Sequence, residues 1–199
     1  NPQWRQQAQI VESLIRELKA DHIPCIRVYN KCDVAFPGDL AKEEDAVSIS
    51  AKTGEGIDKL MEIIKAPDFS GGGLLLYEQE AMREVFETGQ GSVRLRARYV
   101  YDKANNCIDI IQIPYSTSIE LIMKKLTEMI KAGKLREVTD VRDAIDLNGF
   151  KLVFELRRDA NPEVVIQKLF SATDLECNFD CNFNILVEGT PMQLGVREI

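Results

Sequence analysis

Val93-Arg94-Leu95-Arg96-Ala97-Arg98-Tyr99-Val100-Tyr101 alternates apolar and cationic side chains before closing on aromatic and β-branched ones. A period of two is the period of a β-strand, whose successive side chains point to opposite faces. Val93, Leu95, Ala97, Tyr99 and Tyr101 are therefore expected on one face, and Arg94, Arg96 and Arg98 on the other. Three cations about 7 Å apart on one strand face match the phosphate spacing along a DNA strand. The same row also fits the solvated face of an antiparallel sheet.

Working outward, Asp102-Lys-Ala-Asn-Asn106 reads as a turn, and Cys107 to Ile113 as a returning strand. Thr117 and Glu120 fit a capping box. They open a helix with Ile119, Ile122, Leu126, Met129 and Ile130 on one stripe, closed by Gly133. Phe150 to Arg157 alternates again. Asn161-Pro162 starts a helix carrying Val165, Leu169 and Phe170. Phe183, Ile185 and Val187 mark a last strand. Upstream, Glu78 to Thr88 is a helix stopped by Gly89, which can take the left-handed closing conformation. The whole predicts an α+β domain with a mixed four-stranded sheet over residues 66–199. Asp140, Asp143 and Asp146 read as turn residues and salt-bridge partners, and Cys177 and Cys181 as free thiols flanking a loop.

Ala66-Pro-Asp-Phe-Ser-Gly-Gly-Gly73 cannot continue a helix and sets the boundary. Before it, residues 1–65 read as helix, strand, loop, strand, helix. Trp4, Ala8, Val11, Leu14, Ile15 and Leu18 recur at helical spacing. Cys25 to Tyr29 suits a buried strand, a loop carries Pro37 and Gly38, and Ala46 to Ser50 is a second strand. Thr53-Gly54-Glu55-Gly56 turns into a helix with Ile57, Leu60, Met61 and Ile64. Alternating strands and helices predict a parallel α/β arrangement.

The 199 residues carry 25 Lys and Arg against 32 Asp and Glu, a formal net charge of -7. That excludes a uniformly basic surface and allows one basic face. No apolar run approaches the roughly 20 residues that span a bilayer, so no membrane partner is expected. Asn-Pro-Gln-Trp-Arg is not a secretion signal. Five scattered cysteines and the single His22 give no zinc spacing, so no metal site and a cytoplasmic location with reduced thiols are expected.

Asn30-Lys31-Cys32-Asp33 follows an apolar strand, and Ser50-Ala51-Lys52 ends the next. These resemble the two guanine-reading elements of GTPase domains. In such domains the aspartate accepts from guanine N1 and N2, the lysine stem packs beside the nucleotide, the asparagine ties neighbouring loops, and an amide of the second element meets O6. Both elements sit at strand ends, where α/β sheets bind ligands. Asn-Pro-Gln-Trp and Ser-Ala-Lys-Thr-Gly-Glu-Gly are similar to the HflX family over residues 1–60, which would imply a partial P-loop GTPase fold, GTP binding and ribosome association. The sequence has no Gly-x-x-x-x-Gly-Lys-Ser/Thr loop and, ahead of Asn30, no switch threonine and no Asp-x-x-Gly. The phosphates supply most of a nucleotide's electrostatic anchorage, so the other reading is vestigial geometry without a ligand.

A longer resemblance covers residues 66–199. Ala66-Pro-Asp-Phe-Ser-Gly-Gly-Gly resembles the Gly-Pro-Asp-Phe-Pro-Thr-Gly-Gly segment of type IIA DNA topoisomerase A subunits, departing at Ala66, Ser70 and Gly71. Glu87-Thr-Gly-Gln-Gly-Ser is similar to the family's Thr-Gly-Arg-Gly-Ser, with Gln90 in place of an arginine. Ile113-Pro-Tyr-Ser-Thr117, Asp140-Val-Arg-Asp143, Asp146-Leu-Asn-Gly149 and Arg158-Asp-Ala-Asn-Pro162 follow in family order. The resemblance implies a tower domain beside the DNA gate of gyrase or topoisomerase IV. It also implies contact with duplex DNA and no catalysis by this segment alone. Arg94, Arg96 and Arg98 would hold phosphates, with Arg83, Lys103, Lys124 and Lys125 extending the patch. The intact enzyme would pass strands in an ATP-dependent reaction and associate with the bacterial nucleoid. Its magnesium and ATP would come through a B subunit, and its nucleophilic tyrosine from elsewhere in the A subunit. Arg98-Tyr99 looks similar to the nucleophile's setting, but lies within the alternating strand and reads as a sheet residue. The two resemblances together suggest a chimera joined within residues 57–65, whose uncovered two-stranded remnant must pack on the tower, pack on another copy or be poorly ordered, with packing on a partner chain or the tower expected. A scaffold with neither activity is the remaining alternative.

Overall fold

The computed structural model describes residues 3–34, 45–144 and 150–199. The loop with Pro37 and Gly38, and Asp146 with the Asp-Leu-Asn-Gly149 stretch, lie outside the described residues. The chain divides into two units, Asn1–Ile63 and Ile64–Ile199.

The first unit holds α1 (Trp4–Glu17), β1 (Arg27–Tyr29), β2 (Ala46–Ser48) and α2 (Ile57–Ile63). β1 and β2 pair in parallel, with Tyr29 opposite Ser48, as the alternation of elements requires. Trp4 meets the Tyr29 ring edge-on at 5.9 Å. The expected apolar stripe of α1 is only partly used. Trp4, Ala8 and Ile15 are half-buried, while Val11, Leu14 and Leu18 are exposed. Two three-residue strands give too little area to cover a four-turn helix.

The second unit contains β3 (Leu74–Leu76), α3 (Gln79–Thr88), β4 (Gln90–Arg96), β5 (Arg98–Asp102), β6 (Cys107–Gln112) and α4 (Ile119–Lys131). It continues with β7 (Val138–Asp143), β8 (Leu152–Leu156), α5 (Pro162–Ala172), β9 (Glu176–Asn182), β10 (Asn184–Val187) and β11 (Thr190–Gln193). The sheet expected to be mixed is antiparallel throughout, in the order β5-β6-β8-β7, and the strand expected at Phe183–Val187 is β10, outside it. A separate antiparallel sheet runs β3-β4-β9, and β10-β11 is a hairpin.

α4 and α5 cover one face of the four-stranded sheet. Ile108, Ile110, Leu152 and Phe154 from the strands meet Ile122, Leu126, Val165 and Leu169 from the helices, all buried. α3 covers the three-stranded sheet with Met82 and Val85 on Val93 and Cys181. Each fully buried Leu or Ile contributes about 1.5–3 kcal/mol of burial free energy, so these two apolar layers fix both sheets. α5 starts as expected, with Asn161 Oδ1 accepting from the Glu163 amide at 2.9 Å. α3 ends at Gly89, φ +72°.

Four expectations need correction. The strand Val93–Tyr101 breaks at Ala97, and its halves join different sheets. The cap of α4 is Ser118, whose Oγ accepts from the Leu121 amide at 3.4 Å, one residue after Thr117. Asp140 and Asp143 lie on β7 and not in a turn. A register shift between Val138 and Asp140 puts Val138 and Val141 against the same core at a spacing of three, which hides the strand from a period-two reading. Cys177 and Cys181 lie within β9, and both are free thiols.

Candidate nucleic-acid interface

β4 lies between β3 and β9, which places alternate residues on a buried and an open face. Val93 and Leu95 are buried towards the core, and Arg94 and Arg96 project the other way. Across the register, Arg94 faces Asn178 and Arg96 faces Glu176. Arg96 donates from Nε to Glu176 Oε2 at 2.6 Å, and Arg94 Nη1 stands 3.4 Å from Glu176 Oε1. The Arg96 guanidinium lies over the Phe170 ring, 4.8 Å from its centroid, a contact that adds cation–π attraction to the ion pair. Two cations thus share one carboxylate, and the group keeps one net positive charge.

The remaining expected cations are dispersed. Arg98 opens β5, in the other sheet, opposite Gln112. It is exposed, and among the described residues no ion pair involves it. Lys103 is exposed in the β5–β6 turn, where Asp102 accepts from the Asn105 side chain at 2.7 Å and from the Ala104 amide. Those bonds, the Asn105 side chain first, hold the Asp102 carboxyl below its usual range. Lys124 is exposed on α4. Lys125 pairs with Asp174 at 2.7 Å, and Arg83 pairs with Glu87 one turn along α3 at 2.8 Å. The structure therefore brings Arg94 and Arg96 together, places Arg98 apart, and occupies Arg83 and Lys125 with carboxylates. Glu176 and Phe170 were not singled out from the sequence as partners. The signal was present: Glu176, Asn178, Asp180 and Asn182 alternate with Cys177, Phe179, Cys181 and Phe183.

In the first unit, the Asn30 side chain does tie two loops. Its Oδ1 accepts from the Lys31 amide at 2.7 Å and from the Ala51 amide at 3.1 Å. Ser50, fully buried, donates from Oγ to Asp33 Oδ1 at 2.7 Å. Lys31 has φ +71°, and Lys52 is exposed.

Two further properties bear on chemistry. Tyr99 lies in β5 opposite Ile110, with its ring edge-on to Phe170 at 6.0 Å. Among the described residues, no three His, Cys, Asp or Glu side chains converge as a metal site, and no helix is long and apolar enough to cross a membrane.

Residues 42–199 match the family model of the DNA gyrase/topoisomerase IV A subunit. The chain belongs to this family. The match begins before Ser50, Ala51 and Lys52, so the expected chimeric join within residues 57–65 draws no support from it. Relatives within the family include the DNA gyrase A subunit of Granulibacter bethesdensis, 36% identical over 146 residues, which are 72% of this chain and 15% of that protein. That of Halalkalibacterium halodurans is 34% identical over 165 residues, 81% of this chain and 20% of that protein. That of Borrelia hermsii is 38% identical over 143 residues, 70% of this chain and 18% of that protein. The chain spans a fifth or less of the length of these curated relatives.

Proposed function

We propose that the unit from Ile64 to Ile199 holds duplex DNA by its phosphates, as a non-catalytic tower segment of a type IIA topoisomerase A subunit. One observation carries the reading: in a chain of this family, Arg94 and Arg96 project side by side from the open face of β4 with a single carboxylate between them. Arg98, Lys103 and Lys124 add exposed positive charge elsewhere on the same unit. Such groups contribute affinity and register without reading base sequence. Tyr99, held in a sheet, has no part in strand cleavage on this reading.

In the whole protein this segment would support ATP-dependent strand passage in the bacterial cytoplasm at the nucleoid. Its partners there would be the remainder of the A subunit, a second copy of it, and a B subunit that brings ATP and magnesium. The described residues offer no donor set for that metal. The test is duplex binding, followed by fluorescence anisotropy over a salt series. Replacing Arg94, Arg96 and Arg98 together with Ala is expected to weaken binding and to flatten the salt dependence by about 0.9 in log–log slope for each phosphate no longer held. Unchanged affinity and slope would remove this face as the DNA-binding surface.

A second reading applies to the first unit. The Asn30 tie to Ala51 and the Ser50–Asp33 bond favour a guanine-reading remnant of a GTPase-like domain. Without a phosphate loop in the sequence, that remnant would bind GTP weakly or not at all.

A further inference from the structure

We infer that Glu176 competes with DNA phosphate for the arginine pair of β4, Arg94 above all. The inference rests on the DNA-contact reading above and adds a regulatory residue to that surface. Glu176 offers one carboxylate oxygen to each arginine, Oε1 towards Arg94 Nη1 at 3.4 Å and Oε2 towards Arg96 Nε at 2.6 Å. A phosphodiester presents non-bridging oxygens to the same kind of donor, so carboxylate and phosphate compete for the arginine held less firmly.

The two arginines are unequal. Arg96 is held three ways: its side chain is 30% exposed, its Nε bond is short, and its plane rests on Phe170. Arg94 is 56% exposed and stands farther from the carboxylate. It is the one free to turn outwards to a phosphate, while Arg96 stays beside Glu176. The ladder keeps the Glu176 backbone opposite Arg96, so the carboxylate stays within reach of the pair. In the free chain Glu176 cancels half of the pair's charge. On DNA it remains as a repulsive neighbour that lowers affinity.

The experiment compares the 199-residue chain with its Glu176→Gln variant, which keeps the side-chain size and removes the charge. The same duplex and salt series serve as the probe. The variant is expected to bind several-fold more tightly at low salt, with a slope steeper by up to about 0.9. Arg94→Ala should then cost more affinity in the Glu176→Gln background than in the wild type, because Arg94 is no longer partly neutralised. Equal or weaker binding by Glu176→Gln, or an identical Arg94→Ala loss in both backgrounds, would overturn the inference. A measurement on the unaltered chain guards against misfolding of the variant. The carboxyl carbon resonance of Glu176 should move when the duplex is added, and a stationary resonance with bound DNA counts against the inference. Failure of the DNA reading is distinct: it appears as no effect of the triple arginine replacement.

Discussion

The backbone N–H of Ala97 donates to the carbonyl of Leu175 at 2.7 Å, and both residues are wholly buried. This bond marks where the chain leaves one sheet for the other. Arg96, before it, still pairs with Glu176 on β9, and Arg98, after it, pairs with Gln112 on β6. The row of three arginines is cut there, and the alternation of burial ends with it: a register shift follows between Arg98 and Tyr99, and Arg98, Tyr99 and Val100 are all exposed. Ala97 has no room for a larger side chain, because it is packed within the apolar core of the second unit. Ala97→Leu is expected to destabilise the second unit by about 1–3 kcal/mol through overpacking. Urea unfolding followed by circular dichroism measures this, and an unchanged midpoint would show that the switch point tolerates bulk.

Gly89 closes α3 and supports residues 194–196 at the same time. Its φ is +72°, and a Cβ there would lie 2.2 Å from the Leu194 carbonyl oxygen. The Val196 amide donates to the Phe86 carbonyl at 2.8 Å beside it. Gly189, in the β10–β11 turn, has φ +83° but open space around the same position. Gly189→Ala should cost about 1 kcal/mol, the conformational penalty alone. Gly89→Ala should cost clearly more, because Leu194 must also move. Equal losses in paired urea titrations would mean that the Leu194 segment is not held by this close approach.

Glu137 and Lys168 link the start of β7 to α5 by an ion pair. The Lys168 hydrogen bond, first among its causes, holds the Glu137 carboxyl below its usual range. A depressed folded-state pKa gives stability that is complete above the unfolded value, about 4.3 for Glu. That stability disappears as pH falls through the lower folded value. Lys168→Met should therefore melt below the wild type at pH 7, and the gap should close as the pH is taken from about 4 to 3. A gap that stays constant across that range would assign the Lys168 contribution to packing of its stem. Because the pair is half-exposed, the gap should be small and should shrink with added salt.

The sequence made the second unit's main helices legible through strong local signals: Asn161-Pro162 at the start of α5, Gly89 at the end of α3, and the apolar stripe from Ile119 to Met129. It made β4 and β8 legible through alternation, and β6 through the turn at Asp102–Asn106 before it. It hid three things, each for a physical reason. The sheet switch at Ala97 leaves the apolar–cationic pattern of the sequence intact, because Ala97 between two sheets is as buried as Val93 or Leu95 within one, and the irregularity between Arg98 and Tyr99 has no sequence signal. The bulge in β7 changes the spacing of its inward residues from two to three. The pairing of Arg94 and Arg96 with Glu176 joins residues far apart in the chain, and only the β4–β9 register brings them together. Of the candidate site, the arginine face of β4 was legible, but its neutralising partner and the separation of Arg98 were not.

The loops of Asn30–Asp33 and Ser50–Lys52 are braced by bonds between their own polar groups. A guanine-binding aspartate must offer both oxygens to the ring's N1 and N2 donors, and the bond from Ser50 Oγ to Asp33 Oδ1 at 2.7 Å orients that carboxylate while leaving it lone pairs to accept more. Asn30 is likewise engaged, with two backbone amides on its Oδ1. These bonds stabilise the loops with no nucleotide present. The triphosphate would find no Gly-x-x-x-x-Gly-Lys-Ser/Thr loop in the 199 residues, so its charge would lack the amide and lysine contacts that anchor it. Titration with a fluorescent GTP analogue is expected to show no saturation in the micromolar range, and Asp33→Asn should not alter the signal. Asn30→Ala should instead lower the stability of the first unit, by about 1 kcal/mol for each missing hydrogen bond to the loop amides. Saturable micromolar binding that Asp33→Asn abolishes would show that these loops still read guanine without a phosphate cradle.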